Sequence, residues 1–368
     1  MNTILALDIG TEYIKAIIAK PSKKGNIEIL GAGKAKQPKG AMSAGAIADI
    51  SAVVTSCEEA LVEAEEEAKE TANLAVVGIA GELIRGNTTT VNYDRENPNK
   101  PISEDEMSKI IEKVQAKTGE IAKKTVALET GNDDVEIRLI NSAIVSLTID
   151  GYKINNPIGF KGSKVVIQFY TAFAPLVHIA AIEKVCAELN LELLTVAVEP
   201  FAICRACLGD QPDSGLSGII ADIGGGTTDI AIINDGSVEG TESFNIGAEK
   251  ADKTPAIWLS GLEIALEGFT DFETLPSNIY LCGGGADKFN LQAVLATNNW
   301  YQSLPFSRRP IVNLVEMSEL PDLTFKTPKE LGYDFITAAG LLRVGLDTLI
   351  SSPEETSLKA KISRLLQK

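Results

Sequence analysis

The chain has 368 residues, 45% of them hydrophobic, and a formal net charge of −16. This length is too great for one ordinary domain and fits two domains with subdomains. The net negative charge and the lack of a dense basic patch argue against nucleic acid as a partner. Because the sequence has no signal peptide and no membrane-spanning apolar run, we expect a cytoplasmic protein.

The cysteines and the histidine support neither a disulfide framework nor a metal site. Five cysteines in a chain this long do not form a disulfide scaffold. Cys204-x-x-Cys207 has the spacing of a metal or redox pair, but there is no second pair, and His178 is the only histidine. We expect the cysteines to be small buried residues and His178 to be a satisfied core residue on an amphipathic helix.

The first eighty residues predict three strands, a long helix and a fourth strand. Apolar residues recur at helical spacing from Ile47 to Ala64. The strands are predicted at Thr3–Leu7, Ile14–Ala19, Ile27–Ala32 and Leu74–Ile79.

The pattern changes between Leu83 and about Ser163, where charged segments surround a single predicted helix, Glu104–Lys117. Ser103 precedes this helix as N-cap, and Glu106 occupies the capping-box position. Two alternating strands are predicted after it, at Val135–Ile140 and Ala143–Ile149. The segment is therefore expected to be an α+β insertion.

Strands again alternate with helices in the rest of the chain, which indicates an α/β class. A core strand is expected at Val165–Thr171, and the last long helix, Lys329–Leu349, carries the small residues 338–340 where two halves would meet. The other elements are predicted at Pro175–Leu189, Glu199–Leu208, Gly218–Ala221, Ile230–Ile233, Ala256–Phe269 and Ile279–Cys282.

Two glycine-rich acidic turns of one design join predicted strand pairs: Asp8-Ile9-Gly10-Thr11, and the run Asp222–Asp229. Glycine lets the backbone approach an anion, and successive N–H groups in such a turn form an anion-binding nest. The leading aspartate would repel phosphate, so its expected role is to hold a hydrated Mg²⁺. One such turn alone is usually just a hairpin, but two of them indicate a duplicated phosphate clamp.

A third cluster, Gly283-Gly284-Gly285, follows the strand Ile279–Cys282 and precedes a predicted helix beginning at Ala286. Taken alone it could be an ordinary βα turn. Because three glycine clusters each end a strand, we expect them to converge on one nucleotide.

These motifs resemble those of a known superfamily. The runs Asp8–Lys15, Asp222–Asp229 and Leu281–Gly285 are similar to the phosphate-1, phosphate-2 and adenosine motifs of the actin/Hsp70/hexokinase proteins. The stretch Asn156–Gly162 and the sequence Glu199-Pro200-Phe201-Ala202 narrow the resemblance to the cell-division protein FtsA and its pilus-assembly relative PilM.

The resemblance implies a two-domain actin-like (ribonuclease H-like) α/β fold with an inserted α+β subdomain and a reduced second small subdomain. Domain I would comprise residues 1–82 and 164–214, with the insert at 83–163. Domain II would comprise 215–350, of which 248–278 form the reduced small subdomain, and 351–368 would be an amphipathic tail.

The resemblance also implies a site for ATP or ADP with Mg²⁺. Asp8 and Asp222 would face the metal, and Glu199 could orient a hydrolytic water, although it could equally be a helix N-terminal acid that only favours the dipole. The nucleotide-binding residues would be Gly10, Thr11, Lys15, Gly224, Gly225, Gly226, Thr227, Gly283, Gly284 and Gly285.

Two departures from the family pattern stand out. About thirty residues separate Gly247 from Ile279, so most of the subdomain that flanks the base is missing and the base side of the pocket is expected to be open. Glu12 replaces a small residue in the first turn, and we expect its carboxylate to turn outward, away from the phosphates.

The implied function is an ATP-binding cytoskeletal scaffold or filament subunit of cell division. The resemblance implies self-assembly and contact with the tubulin-like protein FtsZ or with a pilus-assembly partner. The basic amphipathic tail, Leu358–Lys368, either lies on the inner face of the cell membrane or packs on the body or a partner. A PilM-like adaptor and a sugar or small-acid kinase are the alternatives, but the kinase would need a positioned base and a substrate pocket.

Overall fold

The computed structural model describes residues 3–22, 26–208, 215–251, 253–269, 272–287, 291–297 and 299–350. The elements of the first half are β1 (Ile4–Ile9), β2 (Tyr13–Pro21), β3 (Ile27–Lys36), β4 (Met42–Ser43), β5 (Ala46–Ile47), α1 (Ile50–Ala68), β6 (Leu74–Ile79), β7 (Arg85–Asp94), α2 (Glu104–Thr130), β8 (Ile137–Ile149), β9 (Tyr152–Lys153), β10 (Lys164–Pro175), α3 (Leu176–Glu188), β11 (Glu192–Val198) and α4 (Glu199–Leu208).

The second half alternates short strands and helices. Its elements are β12 (Gly218–Ile223), β13 (Thr228–Asn234), β14 (Ser237–Phe244), α5 (Ala248–Ala251), α6 (Pro255–Glu267), β15 (Asn278–Cys282), α7 (Leu291–Thr297), β16 (Ile311–Leu314), β17 (Leu323–Phe325) and α8 (Ile336–Ile350), with 3-10 turns at Trp300–Ser303, Met317–Glu319 and Tyr333–Phe335.

The first sheet has six strands in the order β11-β6-β1-β2-β3-β17. Helix α1 packs closely on one face, because a Cβ on Gly33 would lie 1.9 Å from the carbonyl oxygen of Ala60. Helix α8 covers the opposite face, where Gly345 packs against Val76 and Ile4. Since side chains alternate along a strand, both faces need apolar residues, which explains why β1 is buried along its whole length.

The second sheet has nine strands in the order β16-β15-β12-β13-β14-β7-β10-β8-β9. Its first five strands come from the second half of the chain, and its last four come from the segment between β6 and α3. The two groups join where β14 pairs with β7, through Gly240 opposite Asn87 and Thr241 opposite Gly86. The inserted segment therefore continues the sheet of the second half.

Helix α2 covers the inserted strands and is anchored by an ion pair. Ser103 accepts a hydrogen bond from the backbone N–H of Glu106, as an N-cap should. The carboxylate of Glu106, however, binds the buried guanidinium of Arg95 at 2.7 and 2.9 Å. The predicted capping box is thus only half formed, because Arg95 is the stronger donor.

Several sequence-based expectations need correction here. Helix α2 continues to Thr130, well beyond Lys117, and the two strands expected at Val135–Ile140 and Ala143–Ile149 are the single strand β8. The core strand expected at Val165–Thr171 is the longer strand β10, which pairs with β7 and β8 in the second sheet. The inter-strand hydrogen bonds of β10 decide its sheet, and its apolar pattern could not reveal them.

The end of the chain also differs from expectation. The predicted helix Lys329–Leu349 begins only at Ile336, after the 3-10 turn, and Ala286 lies in a turn rather than opening a helix. The small residues do form the expected contact, since a Cβ on Gly340 would lie 2.4 Å from the carbonyl oxygen of Ala202 in α4. The predicted tail lies outside the described residues. In the described ranges, no helix is both long and apolar enough to cross a membrane.

Candidate functional site

The two glycine-rich turns lie against each other at the bottom of a cleft between the two sheets. The first joins β1 to β2, and the second joins β12 to β13. A Cβ on Gly225 would lie 2.7 Å from Cβ of Glu12, and a Cβ on Gly226 would lie 3.0 Å from Cγ2 of Thr11. The turns can approach this closely because Gly225 and Gly226 have no side chain.

Lys15 is held in the cleft by a buried ion pair. It lies opposite Asp8 in the β1–β2 ladder, and its Nζ is 2.8 Å from Oδ2 of Asp8. Burial alone would lower the pKa of Lys15, but Asp8, and then Asp222 and Glu199, raise the pKa above its ordinary value. The ammonium group is therefore a permanent positive charge at the base of the cleft.

Asp222 is the second-to-last residue of β12 and faces the same cleft. Its Oδ2 accepts a hydrogen bond of 2.7 Å from the hydroxyl of Thr337 in α8, while its Oδ1 lies where a side chain on Gly283 would begin. Burial raises the pKa of Asp222, against the opposing effects of Thr337 and Lys15. Asp222 thus connects the second turn to the third glycine cluster and to α8.

Glu199 begins α4 and is buried at the back of the cleft. Its carboxyl packs on Gly78, where a Cβ would lie 2.6 Å from Oε1. Burial raises the pKa of Glu199 well above its ordinary value, and the negative charges of Asp8, Asp229 and Asp222 raise it further. The raised pKa favours the protonated carboxyl, which can orient a water by hydrogen bonding but is a weaker base than a carboxylate.

Most of the predicted binding residues line the cleft, but not all of them. Three predicted residues lie outside the lining: Gly226, Gly283 and Gly285. Gly285, for example, packs on Ile223 and Ala248. The predicted residues in the lining are Asp8, Gly10, Thr11, Lys15, Glu199, Asp222, Gly224, Gly225, Thr227 and Gly284. Their contact with a nucleotide stays a prediction.

The expected outward orientation of Glu12 is wrong. Glu12 lines the cleft, and its Oε2 would be 3.3 Å from a Cβ on Gly225. The space left by the missing side chain of Gly225 accommodates Glu12. An additional negative charge therefore lies beside the two turns, where the sequence predicted none.

His178 is also not the satisfied core residue that we expected. It lies in the first turn of α3, is half-buried and lines the cleft. Its Nδ1 has no hydrogen-bond partner among the described residues, and burial lowers the pKa of the imidazole. The cysteines, by contrast, are free thiols and all are buried except Cys207, which is partly buried.

Two further residues of the site were missed from the sequence. Asp229 lines the cleft and accepts hydrogen bonds from Ser243 and Thr227; burial raises its pKa to about 7. Thr337 binds Asp222 from α8. A single hydroxyl within the apolar run Ile336–Leu342 was the available signal for Thr337, since a buried polar group needs a partner.

The cleft has the features required by a phosphate chain with Mg²⁺. Two glycine turns allow close backbone approach, Lys15 supplies a cation, and Asp8 and Asp222 supply carboxylates. In the part of the chain that the structure describes, no three acid, histidine or cysteine side chains form a metal cage. Mg²⁺ commonly uses one or two carboxylates together with water and phosphate oxygens, so Asp8 and Asp222 are the residues that would hold it.

Comparison with known proteins finds relatives but no matching family model. The cell division protein FtsA of Pseudomonas aeruginosa is 26% identical over 258 residues, covering 70% of this chain and 57% of that protein. FtsA of Bacillus subtilis is 22% identical over 336 residues, covering 89% and 70%. The chain spans just over half the length of the first of these relatives.

Among solved structures, the PilM–PilN type IV pilus biogenesis complex contains a chain that superposes with a TM-score of 0.64 at 17% identity. The match covers 93% of this chain and 98% of that one. The predicted fold is thereby confirmed: the chain has the two-domain actin-like fold, and its sequence is similar to those of FtsA proteins.

Proposed function

We propose that the chain is an FtsA-like actin homologue that binds ATP or ADP with Mg²⁺ and serves as a scaffold or filament subunit in cell division. The observation that carries this proposal is the meeting of the two glycine turns in one cleft that also holds Lys15, Asp8 and Asp222. The sequence similarity to FtsA proteins supports the cellular role.

In this proposal the backbone N–H groups of the two turns bind the phosphate oxygens, and Lys15 neutralises part of their charge. Asp8 and Asp222 hold Mg²⁺ through its water shell. The third cluster contributes Gly284 at the nucleoside end. Bound Mg²⁺ would supply further charge neutralisation to the phosphates, while the protein groups orient them.

The same geometry argues for slow turnover at most. Glu199 is the acid best placed to orient a hydrolytic water, yet its raised pKa disfavours the carboxylate form that would act as a base. Between Gly247 and Asn278 the described residues form only α5 and α6, so few groups are available to close the base side. A scaffold whose nucleotide regulates assembly fits these features better than a fast kinase.

The partners follow from the same proposal. A filament subunit would contact further copies of itself and a tubulin-like division protein such as FtsZ. The tail, whose sequence is basic and amphipathic, would provide a peripheral contact with the inner face of the cell membrane.

A PilM-like adaptor of a pilus machine is the second candidate. The short interval after Gly247 favours it, since a chain reduced to α5 and α6 there lacks most of a subdomain that a filament could use for contacts. Such an adaptor would bind nucleotide in the same cleft but would not form filaments.

The test is isothermal calorimetry of the full chain with ADP and ATP, each with Mg²⁺ and with EDTA. We expect tighter binding with Mg²⁺, loss of that gain in Asp222→Ala, and little binding in Gly225→Val, whose side chain would enter the space between the turns. Wild-type affinity in both variants would contradict the nucleotide site. Pelleting with ATP, followed by electron microscopy, then separates a filament subunit from an adaptor.

A further inference from the structure

The cleft wall contains a second lysine that the glycine motifs do not predict. In the β1–β2–β3 sheet, Asp8 pairs with Lys15, and Lys15 pairs with Lys34. Directly opposite residues place their side chains on the same face, with Cβ atoms about 4.5–5.5 Å apart. Asp8, Lys15 and Lys34 therefore form one row across the sheet, pointing to the cleft side and away from α1.

Two lysines side by side on one face are unfavourable unless anions accompany them. Lys15 has Asp8 as its partner. The Nζ of Lys34 lies 2.7 Å from Oδ2 of Asp334, in the turn before α8, and 4.4 Å from the ring centroid of Tyr13. Lys34 thus carries its own counter-ion, which comes from the other half of the chain.

Lys34 also has the exposure and location of a ligand-binding group. It lines the cleft, and about a third of its side chain (33%) is exposed, whereas Lys15 is nearly covered. Its partner Asp334 lies beside Gly284, with 3.9 Å between Cβ of Asp334 and the point where a side chain on Gly284 would begin. The row therefore leads from the two turns toward the third glycine cluster.

The charge balance of the cleft favours a second cationic side chain for an anionic ligand. Lys15 and Lys34 are the lysines in the described lining, and they are outnumbered by five acids: Asp8, Glu12, Glu199, Asp222 and Asp229. Lys15 already forms an ion pair with Asp8, the most buried of these acids. An incoming phosphate chain would meet Lys34 as the accessible positive charge.

We propose that Lys34 is a second phosphate-binding lysine of the cleft, and that Asp334 holds its ammonium group in place until the phosphate chain of a nucleotide replaces it. This inference rests on the proposed nucleotide function and adds a residue and an exchange of ion-pair partners to it. Asp334 lies in the turn before α8. Ligand binding would therefore remove the Lys34–Asp334 ion pair that joins β3 to this turn.

The alternative is that the pair simply ties the two halves together, and the two explanations predict different mutant behaviour. If Lys34 binds phosphate, Lys34→Gln removes a charged hydrogen bond to the ligand, whereas Asp334→Asn frees Lys34 for it. If the pair is only a tie, both changes lower the melting temperature alike and neither changes nucleotide affinity.

The experiment is calorimetry of Mg·ADP with wild type, Lys34→Gln, Asp334→Asn and Lys36→Gln, together with the melting temperature of each. Lys36 is the matched control, since it is exposed on the same strand and face, two residues on. We expect Lys34→Gln to weaken binding about tenfold, Asp334→Asn to keep or tighten it, and Lys36→Gln to match wild type.

Equal affinity in wild type and Lys34→Gln would overturn the role of Lys34, and so would a similar loss in Lys34→Gln and Asp334→Asn. Neither result would affect the nucleotide site itself. Failure of the wild type to bind Mg·ADP would instead overturn the proposed function, and the role of Lys34 with it.

Discussion

The Oδ1 atom of Asp222 lies 2.0 Å from the point where a side chain on Gly283 would begin. The two residues are sixty-one positions apart, yet the carboxylate occupies the space that the glycine leaves. Gly283 also has a φ of +84°, a conformation that residues with side chains rarely adopt. The first glycine of the third cluster therefore supports the second aspartate rather than contacting the cleft.

Gly283→Ala should lower the free energy of unfolding by about 2 kcal/mol or more, because it adds both positive-φ strain and a clash with Asp222. Gly284→Ala is the matched control: its Cβ would be in ordinary contact with Asp334 at 3.9 Å, and its φ is not positive. Urea denaturation of both variants measures the difference. Equal losses would show that neither the positive φ nor the contact with Asp222 penalises the added Cβ.

The sequence predicted the positions of the two acidic turns well and the environment of side chains poorly. Asp8 and Asp222 were expected at strand ends facing a cleft, and the structure places them there, because apolar runs and glycine turns depend on neighbouring residues alone. The predicted orientation of the Glu12 side chain was wrong because the true orientation depends on Gly225, over two hundred positions away.

The same dependence on residues distant in sequence explains what was missed in the inserted segment. Ser103 was recognised as an N-cap from local sequence, whereas the role of Glu106 was decided by Arg95, on a different element. Likewise the sheet of β10 was decided by its partners β7 and β8. Local patterns predict an element, but pairing across the chain determines where that element lies.

The contact between the two turns should be visible as energetic coupling between Gly225 and Glu12. Gly225→Ala places a Cβ 2.7 Å from Cβ of Glu12 and should cost about 1–3 kcal/mol of stability through overpacking. In a Glu12→Gly background that Cβ is absent, so the cost of Gly225→Ala should fall. Urea denaturation of the four proteins forms a double-mutant cycle; strict additivity would mean that the turns do not touch.

Asp229 should make the ligand-free protein less stable as the pH rises. Its pKa is raised from 3.8 to about 7 by burial, so the folded state binds the proton more tightly than the unfolded state. The resulting stability is complete below about pH 4 and is lost as the pH rises through 7. Each unit of pKa shift corresponds to about 1.4 kcal/mol, so the loss is on the order of a few kcal/mol.

Asp229→Asn keeps a neutral polar group at this position and should remove that part of the pH dependence. Urea denaturation in EDTA between pH 5 and pH 8 compares the two proteins without metal. The wild type should lose more stability over this range than the variant. Parallel curves would show that Asp229 ionises in the fold without penalty.

Arg95 should be essential for anchoring α2 on the inserted strands. Its side chain is nearly fully buried and binds Glu106 and the carbonyl oxygens of Gly162 and Lys100. Arg95→Ala leaves these acceptors without their donor and should cost about 3 kcal/mol. Lys153→Ala is the control, because it breaks only an exposed ion pair with Asp235 and should leave the urea midpoint unchanged. Similar losses of stability in the two variants would contradict the anchoring role of Arg95.

The tail should bind anionic membranes, and only when many copies act together. The chain as a whole is acidic, but Leu358–Lys368 contains four basic residues and no acids. Each basic residue near an anionic surface contributes about 1 kcal/mol, and inserted leucines add apolar burial of about 25 cal/mol per Å². One tail would bind weakly, whereas an assembled polymer would bind with avidity.

Flotation with vesicles in a density gradient should therefore require both anionic lipid and an assembled state, and with neutral vesicles the protein should stay in the bottom fractions. Truncation after Ser357 should abolish flotation while leaving Mg·ADP affinity unchanged, which shows that the fold is intact. If the truncated protein still floats with vesicles, or the full chain never does, the tail packs on the body or on a partner, and the PilM-like adaptor becomes the better description.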